Sequence, residues 1–324
     1  MDLIDATKNN DIQRVQELLK NGVDPNFRNK YGQTPLIISL ENGYTDISKL
    51  LLEHDADPNI TDRFGDTPLF IASNSNYFDI VYLLLENGAD PNINVNERNY
   101  TPLMIALKQE NIDIAKLLLQ PQYDTDINLV DEYNNTSLAI ASYNGYTEIV
   151  KMLLDNDANP NIKNFWNETA LMDASEKGHS DIVELLLDSN ANPNIRNSNE
   201  KTAYELALDK GHTEIARLIR EYMDLQRGQQ NLAFATSMIS NDTPLRHLDY
   251  HTLGEIMSRS RPYNHDVQNR MMENDRIADY LNTIEQYGMG KCSKNRSKKR
   301  SKKRSGKRSK KHSGKKKSKT KKKK

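Results

Sequence analysis

The sequence predicts an all-α solenoid of about seven helix-turn-helix units with hairpin loops, followed by a short helical region and a disordered basic tail. Two series of residues predict the solenoid, because both recur about every 33 positions and advance together. The first series, in turns, is Asn26, Asn59, Asn92, Asn128, Asn161 and Asn194. The second, heading apolar segments, is Thr34, Thr67, Thr101, Thr136, Thr169 and Thr202. Such a unit buries its apolar face only against its neighbours, so we expect function on a surface rather than in a pocket.

Each unit is predicted to be two short helices separated by a turn. In the second unit, Thr34 precedes Pro35. A Thr hydroxyl accepts a hydrogen bond from an unpaired N–H at a helix start, and Pro is tolerated in the first turn. Thirteen residues later, Ile47 begins a stripe that continues at Leu50 and Leu51. This spacing gives the second helix one apolar face.

A Gly lies in the turn between the two helices in four units. The left-handed backbone expected there is accessible to Gly and, less readily, to Asn. Asn76 fits this role in a fifth unit, whereas Glu110 in a sixth does not. The four glycines are Gly43, Gly145, Gly178 and Gly211.

Together these markers resemble the ankyrin-repeat family, whose unit begins with Thr-Pro-Leu-His, turns at Gly-His and ends near Gly-Ala-Asp-Pro-Asn. Residues 88–92 have the closing sequence in full, and the Gly178-His179 pair has the turn. The resemblance covers roughly residues 1–222. One departure is that the His after Thr-Pro-Leu is replaced, so we expect apolar contact in place of an imidazole hydrogen-bond ladder. The replacing residues are Ile37, Phe70, Met104, Ala139, Met172 and Glu205.

The resemblance implies a non-enzymatic scaffold that binds a protein partner on a concave face, formed by hairpin tips and the exposed ends of the first helices. Aromatic and Arg side chains often anchor such interfaces, because they bury a large area with few rotatable bonds. The candidate binding residues on the tips are Lys30, Tyr31, Arg63, Phe64, Arg98, Tyr100, Tyr133, Phe165 and Trp166, the last being the only Trp in the chain. For any single ring, the alternative is that it packs only against the neighbouring hairpin.

The net charge of zero conceals two regions of opposite sign. Residues 291–324 contain 21 Lys or Arg and no Asp or Glu, which leaves 24 basic against 45 acidic residues before them. Such a density of like charge predicts a disordered tail. The tail is a candidate for nucleic-acid binding, because neutralised phosphates release counterions, or for binding an import receptor. The alternatives are that it folds back on the acidic region or only keeps the protein soluble. The candidate residues are Lys298, Lys299, Arg300, Lys302, Lys303 and Arg304.

A connecting region, residues 223–290, separates the predicted repeat domain, residues 1–222, from the tail. Within it, residues 243–261 resemble a degenerate F-box, because Leu245, Leu248, Leu253 and Ile256 follow Pro244 at spaced positions. That resemblance implies a ubiquitin-ligase linker subunit as a partner. The alternative is a short amphipathic helix. A second helix is predicted over residues 274–287.

Neither a membrane nor a catalytic site is predicted. No segment approaches the roughly 20 apolar residues of a membrane span, and the first residues lack the pattern of a secretory signal. The single Cys292 cannot form an internal disulfide, and no His lies at metal-ligand spacing. We therefore expect an intracellular protein with no cofactor, metal or catalytic residue. The acidic, Asn- and Ile-rich repeats with a Lys-Ser tail resemble ankyrin proteins encoded by giant DNA viruses, which implies modulation of host proteins in the host cytoplasm or nucleus.

Overall fold

The computed structural model describes residues 2–93 and 97–240. Within these ranges the chain forms fourteen α-helices in seven pairs and no β-strand, so the predicted fold class is confirmed. The chain divides into two units between Tyr222 and Met223, and the repeats make up the first. The F-box-like segment 243–261, the predicted helix 274–287 and the basic tail lie outside the described residues.

The seven pairs follow the repeat of the sequence. The first helices are α1 (Leu3–Lys8), α3 (Pro35–Glu41), α5 (Pro68–Asn74), α7 (Pro102–Lys108), α9 (Ser137–Asn144), α11 (Ala170–Lys177) and α13 (Ala203–Asp209). The second helices are α2 (Ile12–Lys20), α4 (Thr45–Leu52), α6 (Phe78–Glu86), α8 (Ile112–Leu118), α10 (Thr147–Asp155), α12 (Ser180–Asp188) and α14 (Thr213–Ser240). A 3-10 turn, Pro121–Tyr123, follows α8.

First helices pack on first helices, and the second helices of the first six repeats pack on one another. The first helices approach closely because a small residue stands five positions after each Thr. Each of these residues is fully buried, and they are Ser39, Ala72, Ala106, Ala141, Ala174 and Ala207. Between the layers lie aliphatic side chains such as Ile47, Leu51 and Ile80. The core is therefore continuous from repeat to repeat.

The predicted Thr caps form in five of the six repeats. In α5, for example, the Thr67 hydroxyl accepts a hydrogen bond from the Phe70 N–H at 3.0 Å. Thr202 and Glu205 form a reciprocal capping box at α13. The prediction is wrong for Thr169, whose side chain makes no capping bond at α11.

The positions that carry His in the family are filled as the sequence analysis expected. Ile37, Met104 and Met172 are buried there, so apolar packing replaces an imidazole ladder. Glu205 is the exception, because its carboxylate accepts a hydrogen bond from the Thr202 N–H at 2.7 Å.

The turn between paired helices is left-handed in the six later repeats. Gly43, Gly145 and Asn76 have φ of +73°, +80° and +60°. Glu110 adopts the same conformation, with φ +59°, so the prediction that it does not fit this role was wrong. The next residue, Asn111, donates from Nδ2 to the Ser73 carbonyl of the preceding repeat at 2.8 Å, and this bond holds the turn in place.

The recurring Asn side chains bridge consecutive repeats. The Asn59 Nδ2 donates to the Gly88 carbonyl at 3.0 Å, and its Oδ1 accepts from the Asp90 N–H at 2.8 Å. Asn161 does the same with the carbonyl of Asn190 and the N–H of Asn192. The sequence analysis identified these residues as turn markers and missed this connection across repeats.

A glycine substitution tests how tightly the turns stack. At Gly145 (φ +80°) a Cβ would lie 2.8 Å from the His179 ring, whereas at Gly211 (φ +79°) a Cβ meets nothing within 4 Å. Ala at either position costs roughly 1–2 kcal/mol for the left-handed backbone. We expect Gly145→Ala to lose about 1–3 kcal/mol more than Gly211→Ala in urea unfolding, because the imidazole must move. Equal losses would show that the imidazole contact imposes no constraint.

Candidate protein-binding surface

The hairpins that lead into the first helices share one tip geometry. In the hairpin before α11, the Asn164 Oδ1 accepts hydrogen bonds from the N–H groups of Trp166 and Glu168, both at 2.9 Å. Asn and Asp side chains commonly fix turns in this way. The residues that fill this role in five hairpins are Asn29, Asp62, Asp131, Asn164 and Asn197. The tips therefore have a fixed backbone independent of any partner.

A backbone hydrogen bond connects each of several tips to the next. The Phe165 N–H donates to the Tyr133 carbonyl at 3.0 Å, and the Ser198 N–H donates to the Trp166 carbonyl at 2.8 Å. Equivalent bonds run from Arg63 to Tyr31 and from Glu132 to Arg98. Side chains on successive tips are thus held at a regular spacing.

Five of the predicted aromatic residues form an exposed set that we call the tip row. Its members and their exposed fractions are Tyr31 41%, Phe64 46%, Tyr133 42%, Phe165 62% and Trp166 51%. The basic candidates Lys30, Arg63 and Arg98 are exposed as well. The structure thus brings these candidates to one surface, and their role in binding stays a prediction.

Tyr100 does not belong to the tip row, and the prediction that it lies on an exposed tip was wrong. Its side chain is only 6% exposed, and its hydroxyl accepts a hydrogen bond from the Lys108 Nζ at 2.6 Å. The reason is register, because Tyr100 directly precedes the capping Thr101, whereas Tyr133 and Trp166 lie three residues before theirs. The sequence already contained this signal.

The tip row contains two clusters of different chemistry. In the first, the Arg63 guanidinium lies 5.1 Å from the centre of the Tyr31 ring and 4.5 Å from that of Phe64. In the second, Tyr133 and Trp166 stack directly, with ring centres 5.8 Å apart and planes inclined by 23°. Tyr133 and Trp166 pack on each other across neighbouring hairpins, as the alternative interpretation expected. Both rings nevertheless remain about half exposed.

Carboxyl groups lie below the tips, at the hairpin bases and on the first helices. Burial raises the pKa of Asp66 from 3.8 to about 6, and the charges of Asp62, Glu97 and Glu41 add to the effect. Burial also raises the pKa of Asp173 well above its ordinary value, with Glu168 and Glu176 contributing. We call the tips, these bases and the first helices the hairpin face. Sequence reasoning missed both acids.

The described residues offer neither a membrane span nor a metal site. No helix in ranges 2–93 and 97–240 is long and apolar enough to cross a bilayer. The same residues contain no group of three or more His, Cys, Asp or Glu side chains that could hold a metal ion.

Comparison with known families identifies the repeats. A family model described as Ankyrin repeats (3 copies) matches residues 3–95 and 91–164, and one described as Ankyrin repeats (many copies) matches residues 158–207. The chain belongs to the ankyrin-repeat family. The ankyrin repeat domain of Bcl-3, described as a unique member of the IkappaB protein family, is a similar solved structure. It is 25% identical, has a TM-score of 0.57, and the match covers 67% of this chain and 98% of that one.

A comparison with curated proteins found no significant match. The family and fold predicted from the sequence are confirmed by the family models and by the Bcl-3 structure. The ankyrin fold is one that typically serves protein binding, and the tip row carries residue types suited to it.

The raised pKa of Asp66 gives a pH-dependent prediction. Because the folded state binds this proton more strongly than the unfolded chain, the group disfavours folding increasingly as the pH rises from about 4 through 6. Asp66→Asn keeps the shape and removes the charge. We expect the variant to be more stable than wild type at neutral pH, with a difference that shrinks towards zero below about pH 4, in urea unfolding.

The control for Asp66→Asn is Glu184→Gln, which removes an exposed carboxylate from α12. This variant should follow the pH dependence of the wild type. An Asp66→Asn protein that is less stable than wild type at neutral pH would contradict the assignment.

Proposed function

We propose that the chain is a non-enzymatic scaffold or adaptor that binds a protein partner on the hairpin face, the counterpart of the concave face in the family. The tip row supports this proposal, because its five exposed rings lie on hairpin tips whose backbones are already fixed by hydrogen bonds in the absence of a partner. Preorganised aromatic groups lose little conformational entropy on binding. Similarity to the ankyrin repeat domain of Bcl-3 supports a protein-binding role in general terms.

The second cluster of the tip row is the proposed anchor. Phe165 is the most exposed ring of the row, and its neighbour Trp166 stacks on Tyr133. In the first cluster the chain's own Arg63 already lies over both rings. Tyr133 is 42% exposed and Trp166 is 51% exposed. These two rings therefore have faces available to a partner.

The anchor is tested by removing Tyr133 and Trp166 together. We expect Tyr133→Ala with Trp166→Ala to weaken capture of protein partners from the natural host by about 30-fold or more, since the loss of even one interface anchor costs at least about 2 kcal/mol. The matched control is Phe78→Ala with Tyr82→Ala on α6, because these rings are 43% and 45% exposed and lie on a second helix.

Quantitative mass spectrometry of the captured proteins gives the comparison, and circular dichroism verifies that both double variants fold. A partner lost equally from the tip-row and α6 variants, or retained equally by both, would refute the proposed anchor.

Finer proposals concern the partner's identity. The resemblance to proteins of giant DNA viruses supports a host protein as the target, and the pattern of residues 243–261, outside the described residues, supports a ubiquitin-ligase linker subunit. The same capture experiment tests the linker subunit. The linker subunit should be retained by both double variants, because neither changes residues 243–261. Its absence from all captures would refute this partner.

A second candidate function is association with nucleic acid or an import receptor through residues 291–324. The 21 Lys or Arg and the lack of Asp or Glu in this segment favour it, because such a segment neutralises phosphates without a defined shape. Deleting residues 291–324 should reduce duplex DNA retention in filter binding and flatten its salt dependence. Unchanged DNA affinity after the deletion would refute the association with nucleic acid.

A further inference from the structure

The first hairpin of the array differs in charge from the five that follow. Its residues, 26–33, include Arg28 and Lys30 and neither Asp nor Glu. Each later hairpin contains at least one acidic residue, and these residues are Asp62, Asp66, Glu97, Asp131, Glu132, Glu168 and Glu200. Before residue 291, basic residues number only 24 against 45 acidic ones. The tip row therefore begins with positive charge on an otherwise acidic chain.

The first and second hairpins are held together by groups of the chain itself. The Arg28 Nε donates to the Gly32 carbonyl at 3.0 Å, and its Nη2 donates to the Thr61 carbonyl of the second hairpin at 2.7 Å. A Cβ on Gly32 would lie 2.9 Å from the same Nη2. The Arg63 N–H donates to the Tyr31 carbonyl at 3.3 Å. These contacts fix the spacing of the two tips.

Two cations meet at one ring in the first cluster of the tip row. The Lys30 Nζ lies 4.9 Å from the centre of the Tyr31 ring, and the Arg63 guanidinium lies 5.1 Å from the same centre. Lys30 and Arg63 are both exposed. No ion pair within residues 2–93 and 97–240 includes either of them. A carboxylate placed beside this ring would gain from both charges.

The carboxylate adjacent to Arg63 in the sequence is used by the hairpin backbone. Asp62 is only 7% exposed. Its Oδ1 accepts hydrogen bonds from the N–H groups of Phe64 and Asp66, at 2.8 and 3.0 Å. Asp62 therefore stabilises the turn, and the exposed side of the cluster keeps its positive charge.

We propose that Lys30 and Arg63 bind an Asp or Glu side chain of the protein partner. The inference rests on the proposed function and specifies the chemistry of the partner at one end of the tip row. The planar guanidinium of Arg63 presents donors that fit a carboxylate, and Lys30 adds a second charge. The acidic residue then lies on the first two hairpins, and the apolar part of the bound segment lies at Tyr133 and Trp166. The row thereby sets the direction in which the segment binds.

The charge around the cluster favours an acidic protein segment over nucleic acid. A nucleic-acid strand carries negative charge along its whole length, so it would meet the acidic residues of the later hairpins. A single carboxylate needs only local positive charge, because screening over about 8–10 Å at physiological ionic strength separates it from more distant acids.

The test uses the full chain, a water-soluble carbodiimide and a peptide of Gly and Ser whose only carboxylate is one central Glu. The carbodiimide joins a carboxylate to an amine in contact with it. Mass spectrometry measures the coupling at each lysine separately, so products on residues 291–324 do not obscure the cluster. Acetylation of the same lysines corrects for amine reactivity. We expect corrected coupling at Lys30 to exceed that at Lys151, an exposed lysine of α10, by about fivefold or more.

Two variants show whether Arg63 contributes to this coupling. Arg63→Gln should lower corrected coupling at Lys30 by about threefold or more and leave that at Lys151 unchanged, because one of the two converging charges is lost. The matched control is Arg196→Gln, which removes an exposed guanidinium of the last hairpin that pairs with Glu205. This control should leave coupling at Lys30 within about 1.5-fold of wild type.

The inference is overturned if corrected coupling at Lys30 does not exceed that at Lys151, or if Arg63→Gln leaves it unchanged. It is also overturned if an oligothymidylate protects Lys30 from acetylation better than the Glu peptide does at equal concentration, or if Lys30 couples chiefly to a second copy of the chain. The proposed function fails separately, when the double variant of Tyr133 and Trp166 captures as much partner as wild type. That variant should retain the coupling at Lys30.

Discussion

The structure depends on the contact between consecutive repeats, because no helix pair in this chain can bury its apolar stripe alone. Two features of the sequence make that contact close. A fully buried Ala or Ser in each of the later first helices lets adjacent backbones approach, and the Asn side chains connect the loops of neighbouring units. The first feature fixes the distance between repeats, and the second fixes their alignment along the loops.

Much of this architecture could be predicted from the sequence, since the periodic residues act locally. A Thr side chain caps a helix by accepting a hydrogen bond from the N–H three residues later, and Gly permits a turn at its own position. Both can therefore be recognised in a single unit. The errors arose where the outcome depends on the next repeat. Glu110 accepts a left-handed backbone because Asn111 is bound to the preceding repeat, and Tyr100 is buried because its register places it at a hairpin base.

The acids of the hairpin face were missed for the same reason. Helix α11, which carries Asp173, packs between the first helices of the two neighbouring repeats, and composition gives no indication of that packing. The exposure of Tyr133, Phe165 and Trp166, by contrast, was predictable from their place in the repeat. A surface that combines exposed rings with partly buried carboxylates differs from the evenly solvated face of an ordinary helix.

The turn glycines have a consequence for how this array can change over evolutionary time. The imidazole of His179 covers Gly145, and that of His212 covers Gly178, so each of these two junctions pairs a bare backbone on one side with a ring on the other. Duplication of a unit bearing both features inserts cleanly between such neighbours. A copied unit with Glu110 in this turn would present a side chain to such a ring. Whether a duplicated repeat fits therefore depends on both of its new neighbours, and this restricts the order in which duplicated repeats can follow one another.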